Sequence, residues 1–89
     1  MNITINHPKN PAVGWNIDVT AQGETASEKI SQVIVKINGS PEPTETLNPP
    51  VKSWHKLYTQ KGQYPGDNKV EVTASDQNGN QTSATDAWE

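Results

Sequence analysis

In the segment VGWNIDVTAQG, Val13, Trp15, Ile17, Val19 and Ala21 fall at alternate positions, with Asn16, Asp18 and Thr20 between them. A period of two sends the apolar set to one face of a strand and the polar set to the other, which a helix of 3.6 residues per turn cannot do. The same period recurs in Ile3 and Ile5 of NITIN, in Val33, Val35 and Ile37 of KISQVIVKING, and in Val70, Val72 and Ala74 of KVEVTAS. Each run is stopped early. His7-Pro8 and Pro11 end the first, Gly23 the second and Asn38-Gly39 the third, while Pro65-Gly66 and Asn78-Gly79 bracket KVEVTAS as expected turns. ETASEKIS is long enough for one helical turn but too short for a stable apolar stripe, so it reads as a connection. The chain is therefore expected to be all-β, with about seven short strands in two packed antiparallel sheets.

The composition fits two sheets with polar outer faces. Only 30% of the 89 residues are hydrophobic and 19% are charged, with a net charge of -3. A strand that buries one face needs apolar residues at alternate positions only, so Thr, Ser, Asn and Gln fill the rest. The length accommodates one domain spanning residues 1–89. With no cysteine, neither a disulfide nor a thiolate metal site is available. All seven cationic side chains are lysines, so no guanidinium is present to fork onto phosphates or base edges, and nucleic acid is not an expected partner. No run of apolar residues approaches membrane-spanning length, so no membrane insertion is expected.

Two segments read less simply. SPEPTETLNPP carries Pro41, Pro43, Pro49 and Pro50, which argue against a central strand and leave at most a brief edge strand over Thr44 to Leu47. In SWHKLYT the parity conflicts: Trp54 aligns with Lys56 and Tyr58, whereas Leu57 aligns with His55 and Thr59. A bulge between Trp54 and Leu57 would bring both into the interior. Trp15 and Trp54 are expected in the core, and Trp88 either closes one end or stays exposed.

Residues 54–88 resemble the second half of bacterial immunoglobulin-like domains. The resemblance rests on Trp54 and Leu57, on the Tyr64-Pro65-Gly66 turn with Asn68, on the strand Val70, Val72, Ala74 and Asp76, and on the hairpin residues Gly79 and Asn80. VIVKING and VGWNIDVTAQG fit the first half more loosely. The resemblance implies a single immunoglobulin-like β-sandwich that is extracellular, on the cell surface or periplasmic. It also implies a non-catalytic role, as a spacer or protein-interaction and adhesion module of a secreted or surface protein. The partners would be a protein or glycan on its exposed surface, or neighbouring domains of a longer chain.

The candidate chemistry is sparse. SDQNGNQTS places Asp76, Asn78 and Asn80 at alternate positions, a set of oxygen ligands suited to Ca²⁺. As a twelve-residue calcium loop the register fails. Gly79 falls at the fourth position rather than the sixth, and Ala87 occupies the twelfth, where a bidentate Glu belongs. The leading reading is a hairpin in which Asn78-Gly79 adopts positive φ and Asp76 accepts backbone N–H groups. The alternative function is a small carbohydrate-binding or calcium-dependent module, with Tyr58, Tyr64 and Trp88 as stacking contacts. His7 and His55 stand without a neighbouring ligand motif, and His55 reads as an exposed strand residue. No Gly-x-Ser-x-Gly turn frames Ser53, so an enzyme is not expected. Three Asn-x-Ser/Thr sequons, at Asn2, Asn38 and Asn80, follow from an Asn- and Thr-rich surface.

Overall fold

The computed structural model describes residues 1–7, 15–61 and 68–88, and only the backbone of Trp15, Gln60 and Lys61. Among the described residues there are eight strands: β1 (Asn2–Asn6), β2 (Trp15–Gln22), β3 (Ile30–Ile37), β4 (Ser40–Pro41), β5 (Glu45–Val51), β6 (Ser53–Lys61), β7 (Asn68–Asp76) and β8 (Gln81–Trp88). All pairings are antiparallel. One sheet has the order β1-β2-β6, and the other β4-β3-β7-β8 with β5 also on β3. The chain changes sheets after β2, after β5 and after β6, so strands from both halves of the sequence interleave. The two sheets thus form an antiparallel β-sandwich in which β1, β2 and β6 face β3, β7 and β8.

The period of two explains the interior. Ile17, Val19 and Ala21 of β2 face Val33, Val35 and Ile37 of β3 and Val70, Val72 and Ala74 of β7, and all are buried. Ile3, Ile5, Leu47, Val51 and Trp88 pack around this cluster. On β3 the alternation includes a correction. The register against β7 shifts between Ile30 and Gln32, so Ser31 is an extra residue. That bulge turns Ile30 into the core despite its parity with Gln32, Ile34 and Lys36. The Ser31 hydroxyl donates to the backbone carbonyls of Asp76, at 2.8 Å, and Ser75, at 3.2 Å, satisfying acceptors beside the disturbed ladder.

The bulge expected between Trp54 and Leu57 is absent. β6 runs in continuous register from Ser53 opposite Gln22 to Tyr58 opposite Ile17, and the irregularity falls beyond it, between Trp15 and Ile17 of β2. Uninterrupted pairing keeps Trp54 and Tyr58 on one face, and both are buried, while Leu57 points outward and is 48% exposed. Two rings thus fill the inner face in place of one ring and one leucine. Lys56 lies between them in sequence on the same parity. Its ammonium stands 5.3 Å from the Tyr58 ring centre and 3.5 Å from Glu45, carrying the charge out past the edge of the sheet.

The proline-rich segment also departs from expectation. It contains β4 and all of β5 but Val51, longer than the brief Thr44–Leu47 strand that its prolines suggested. Both strands pair only with β3 and each lies at an edge, where a missing N–H need not break a ladder. β5 engages β3 at Thr46 and Glu45 and again at Val51, and its register shifts in between, where Asn48-Pro49 is cis. At the other end of β3, Asn38 and Gly39 have φ values of 51° and 82°, the paired positive angles of a tight hairpin turn. Of the turn expected over QYPGDN, residues 63–68, only Asn68 is described, as the first residue of β7; its other residues, the breaks at Pro8 and Pro11, and the core placement of the Trp15 side chain lie outside the described residues.

Candidate functional site

Asp76 ends β7 on the parity of Val70, Val72 and Ala74, so its carboxylate sits at the rim of the core and is buried. The loop that follows is built on it. Oδ1 accepts the backbone N–H groups of Asn78 at 2.8 Å and Asn80 at 2.9 Å, and Oδ2 accepts the Asn80 side-chain Nδ2–H at 3.0 Å. The backbone closes through Asp76 N–H to the Asn80 carbonyl at 2.9 Å and Gly79 N–H to the Asp76 carbonyl at 3.2 Å. These contacts hold the Asp76 carboxyl below its usual range. The Asn80 side chain is the largest cause; burial opposes it, and the two backbone N–H groups and the N-terminal ammonium add to it. Of the two residues expected at positive φ, only Gly79 adopts it, at 85°. One left-handed residue suffices because the carboxylate, rather than a second positive φ, folds the loop.

The loop braces the connection between β2 and β3. Gln77 accepts the Lys29 N–H on its Oε1 at 2.9 Å, donates its side-chain amide to the Ser27 carbonyl and its backbone N–H to the Lys29 carbonyl at 3.2 Å. Within that connection Glu28 takes the Glu24 N–H at 2.8 Å and the N-terminal ammonium at 2.8 Å, which lowers the Glu28 carboxyl and raises the amine. Lys52 donates to the carbonyls of Gly23, at 2.8 Å, and Thr25.

As a cation site the set is nearly filled by protein donors. A carboxylate offers about four lone-pair directions, and three are used here. Asn80, which turns its Nδ2 toward Asp76, directs its own oxygen away from that carboxylate. Asp76, Asn78 and Asn80 are therefore brought together, but as a hydrogen-bonded turn centred on one carboxylate. Asp86, the acid on the following strand, pairs with Val70 at the far end of β8. Among the described residues no group of three His, Asp or Glu side chains is placed to hold a metal ion.

The aromatic contact set is not assembled. Tyr58 is 4% exposed, its ring under Lys56, which removes it from any stacking platform. Burial pushes its hydroxyl pKa up to about 12, with Glu45 and Glu42 adding to the rise. Tyr64 lies outside the described residues. Trp88 is half-buried against the core, and its ring is stacked on His7, with centroids 4.1 Å apart and planes 9° from parallel. His7 Nδ1 also bonds Asp86 Oδ2, so the end of β1 is fastened to the end of β8 across the two sheets.

A second histidine–carboxylate pair, His55 Nε2 to Asp18 Oδ1, lies on the exposed outer face of β2 and β6 beside Leu57. Neither pair was legible in the sequence, because the partners are 79 and 37 residues apart. Cross-strand register is the signal that finds them: Asp18 stands opposite Leu57, one step diagonal from His55. Comparison with protein-family models, with curated proteins and with solved structures returned no match.

Proposed function

We propose that the chain is a non-catalytic immunoglobulin-like module that serves as a spacer or protein-contact unit of a bacterial secreted or surface protein. The observation that carries this reading is that β1 starts and β8 finishes at opposite ends of the sandwich. Met1 contacts Glu28 at the end that holds the Asp76 loop, whereas Trp88 stands with His7 and Asn68 at the opposite end of the strands. The molecule measures 41 × 21 × 17 Å, and its longest strands have eight or nine residues, about 30 Å, more than either shorter dimension. A chain entering at one end and leaving at the other adds its full length to a string of units. Met1, Asp76, His7 and Asp86, at the two ends, are engaged internally, and the outer faces carry Thr, Ser, Asn and Gln, a composition suited to standing in water.

The test is surface labelling. Antibody raised against the purified domain should bind intact cells of the producing organism or their culture medium. Signal confined to the cytoplasmic fraction of broken cells refutes the proposal. A three-copy tandem fusion measured by small-angle scattering separates spacer from contact unit. A spacer lengthens by nearly the long dimension per copy, and a contact unit that folds back on its neighbour does not.

A further inference from the structure

The sequence holds two Asn-Gly pairs, Asn38-Gly39 and Asn78-Gly79, and the fold treats their side chains in opposite ways. The Asn38 carboxamide is engaged at both ends. Its Oδ1 accepts the Lys69 N–H at 2.8 Å, and its Nδ2 donates to Oδ1 of the buried Asn68 at 3.1 Å. Asn38 N–H also donates to the Lys69 carbonyl at 2.8 Å, so the whole residue is docked on the start of β7. Asn78 is exposed, and it is held only through its backbone N–H, which donates to Asp76 Oδ1. Its carboxamide makes no hydrogen bond among the described residues.

We infer that Asn78 is a site of spontaneous deamidation in the folded protein, and that the docking of Asn38 protects the other pair. The reaction needs an asparagine carboxamide free to turn onto the following backbone nitrogen, and a following residue without a side chain to obstruct it. Asn78-Gly79 meets both conditions. Gly79 N, whose bond to the Asp76 carbonyl is at 3.2 Å, the long end of the usual range, attacks Asn78 Cγ. The new N–Cγ bond forms as the Cγ–Nδ2 bond breaks, and Nδ2 departs as ammonia with the proton from Gly79 N. Water then adds to one of the two imide C–N bonds, leaving an aspartyl or isoaspartyl residue at position 78 and no change of oxidation state. The new carboxylate lies next to the Asp76 loop and adds one negative charge to the formal -3.

At Asn38 the same rotation first breaks two hydrogen bonds, which at ordinary net strengths slows it by about 30-fold. The experiment follows both sites in one sample. The intact protein is held at mildly alkaline pH, and trypsin then cuts after Lys36, Lys52 and Lys69, separating residues 37–52 from residues 70–89. In folded protein the 70–89 peptide should gain the mass of an amide-to-acid conversion about 30-fold faster than 37–52, with fragmentation placing the change at Asn78. In concentrated urea the two rates should converge, because only the fold distinguishes the sites. Asn78→Gln should abolish the fast conversion. Equal rates in the folded protein, a faster 37–52 peptide, conversion placed at Asn80, or no conversion in the fold where urea allows it, each overturns the inference.

Discussion

Gly23 is the position where a single methyl group should do the most damage. An alanine Cβ there would stand 1.9 Å from the Glu28 carbonyl oxygen and 2.8 Å from its carbon. Ordinary contact begins near 3.4 Å, and the atoms in the way are backbone, so the Glu24–Lys29 connection must move bodily. That movement pulls on Gly23 N–H to the Lys52 carbonyl, on Lys52 to the Gly23 carbonyl, and on the Gln77 bonds to Lys29. Overpacking of this kind costs about 1–3 kcal/mol, and one or two displaced hydrogen bonds add about 1 kcal/mol each. The sum, about 2–5 kcal/mol, corresponds to a fall in Tm of about 10–30 °C for a domain of this size. Gly79→Ala is the control. Gly79 has φ of 85° but nothing within 4 Å of the added Cβ, so its cost is the left-handed strain alone, about 1–2 kcal/mol. Thermal melts of the two variants beside the parent decide the matter. If Gly23→Ala melts within a few degrees of the parent, or Gly79→Ala proves the worse of the two, the close approach of Gly23 to Glu28 is wrong.

Leu57→Ser should change stability by no more than about 0.5 kcal/mol, whereas Trp54→Ala, three residues earlier on the same strand, should cost about 3–5 kcal/mol; urea denaturation that ranks them the other way would restore the bulge. Val72→Asp puts an unpaired carboxylate among fully buried side chains, and loss of the cooperative transition by circular dichroism is the expected outcome. Because the Asp76 carboxyl is depressed, its contribution to stability is present above its unfolded pKa of about 3.9 and disappears as pH falls through the lower folded value. Asp76→Asn should therefore flatten the acid limb of a Tm-versus-pH curve; an unchanged limb would place the acid sensitivity elsewhere. With three of its acceptor directions in use, Asp76 should give no calcium-dependent rise in Tm at millimolar Ca²⁺ in metal-stripped protein, and a rise abolished by Asp76→Ala would establish the cation site instead.

The strands were legible where side chains of one kind repeat at a period of two. Val33, Val35 and Ile37 and the series Val70, Val72, Ala74 identify their own inner faces, and the Asn38-Gly39 turn follows from residue type. Legibility failed where one residue changes the phase. Ser31 gives no sequence sign that it will bulge and turn Ile30 inward. The parity conflict in SWHKLYT was real, but it resolved by leaving Leu57 in water rather than by bending the strand. The prolines in 40–50 point to an edge strand, as found, but not to its length, because sequence does not say how far an edge strand with a shifted register can run. The candidate site was legible as a turn, since Asp and Asn at those spacings bond their own backbone. Its load on the neighbouring connection was not, because Gln77 reaches residues 27 and 29 only through the pairing of β3 with β7.

That load argues that the Asp76 loop is structural before it is anything else. The bulge at Ser31, the end of β7 and the connection after β2 meet at one end of the sandwich, and each leaves backbone groups that the regular ladders do not satisfy. Ser31 covers the carbonyls of Ser75 and Asp76, the Asp76 carboxylate covers two N–H groups of its own turn, and Gln77 covers both backbone groups of Lys29. Recruiting Asp76 to a ligand would break the three hydrogen bonds by which its buried carboxylate folds its own turn. The large apolar side chain left exposed among the described residues lies away from this end. The outer face of β2 and β6, where Leu57 stands exposed beside the His55–Asp18 pair, has side chains that the fold does not need for its own closure.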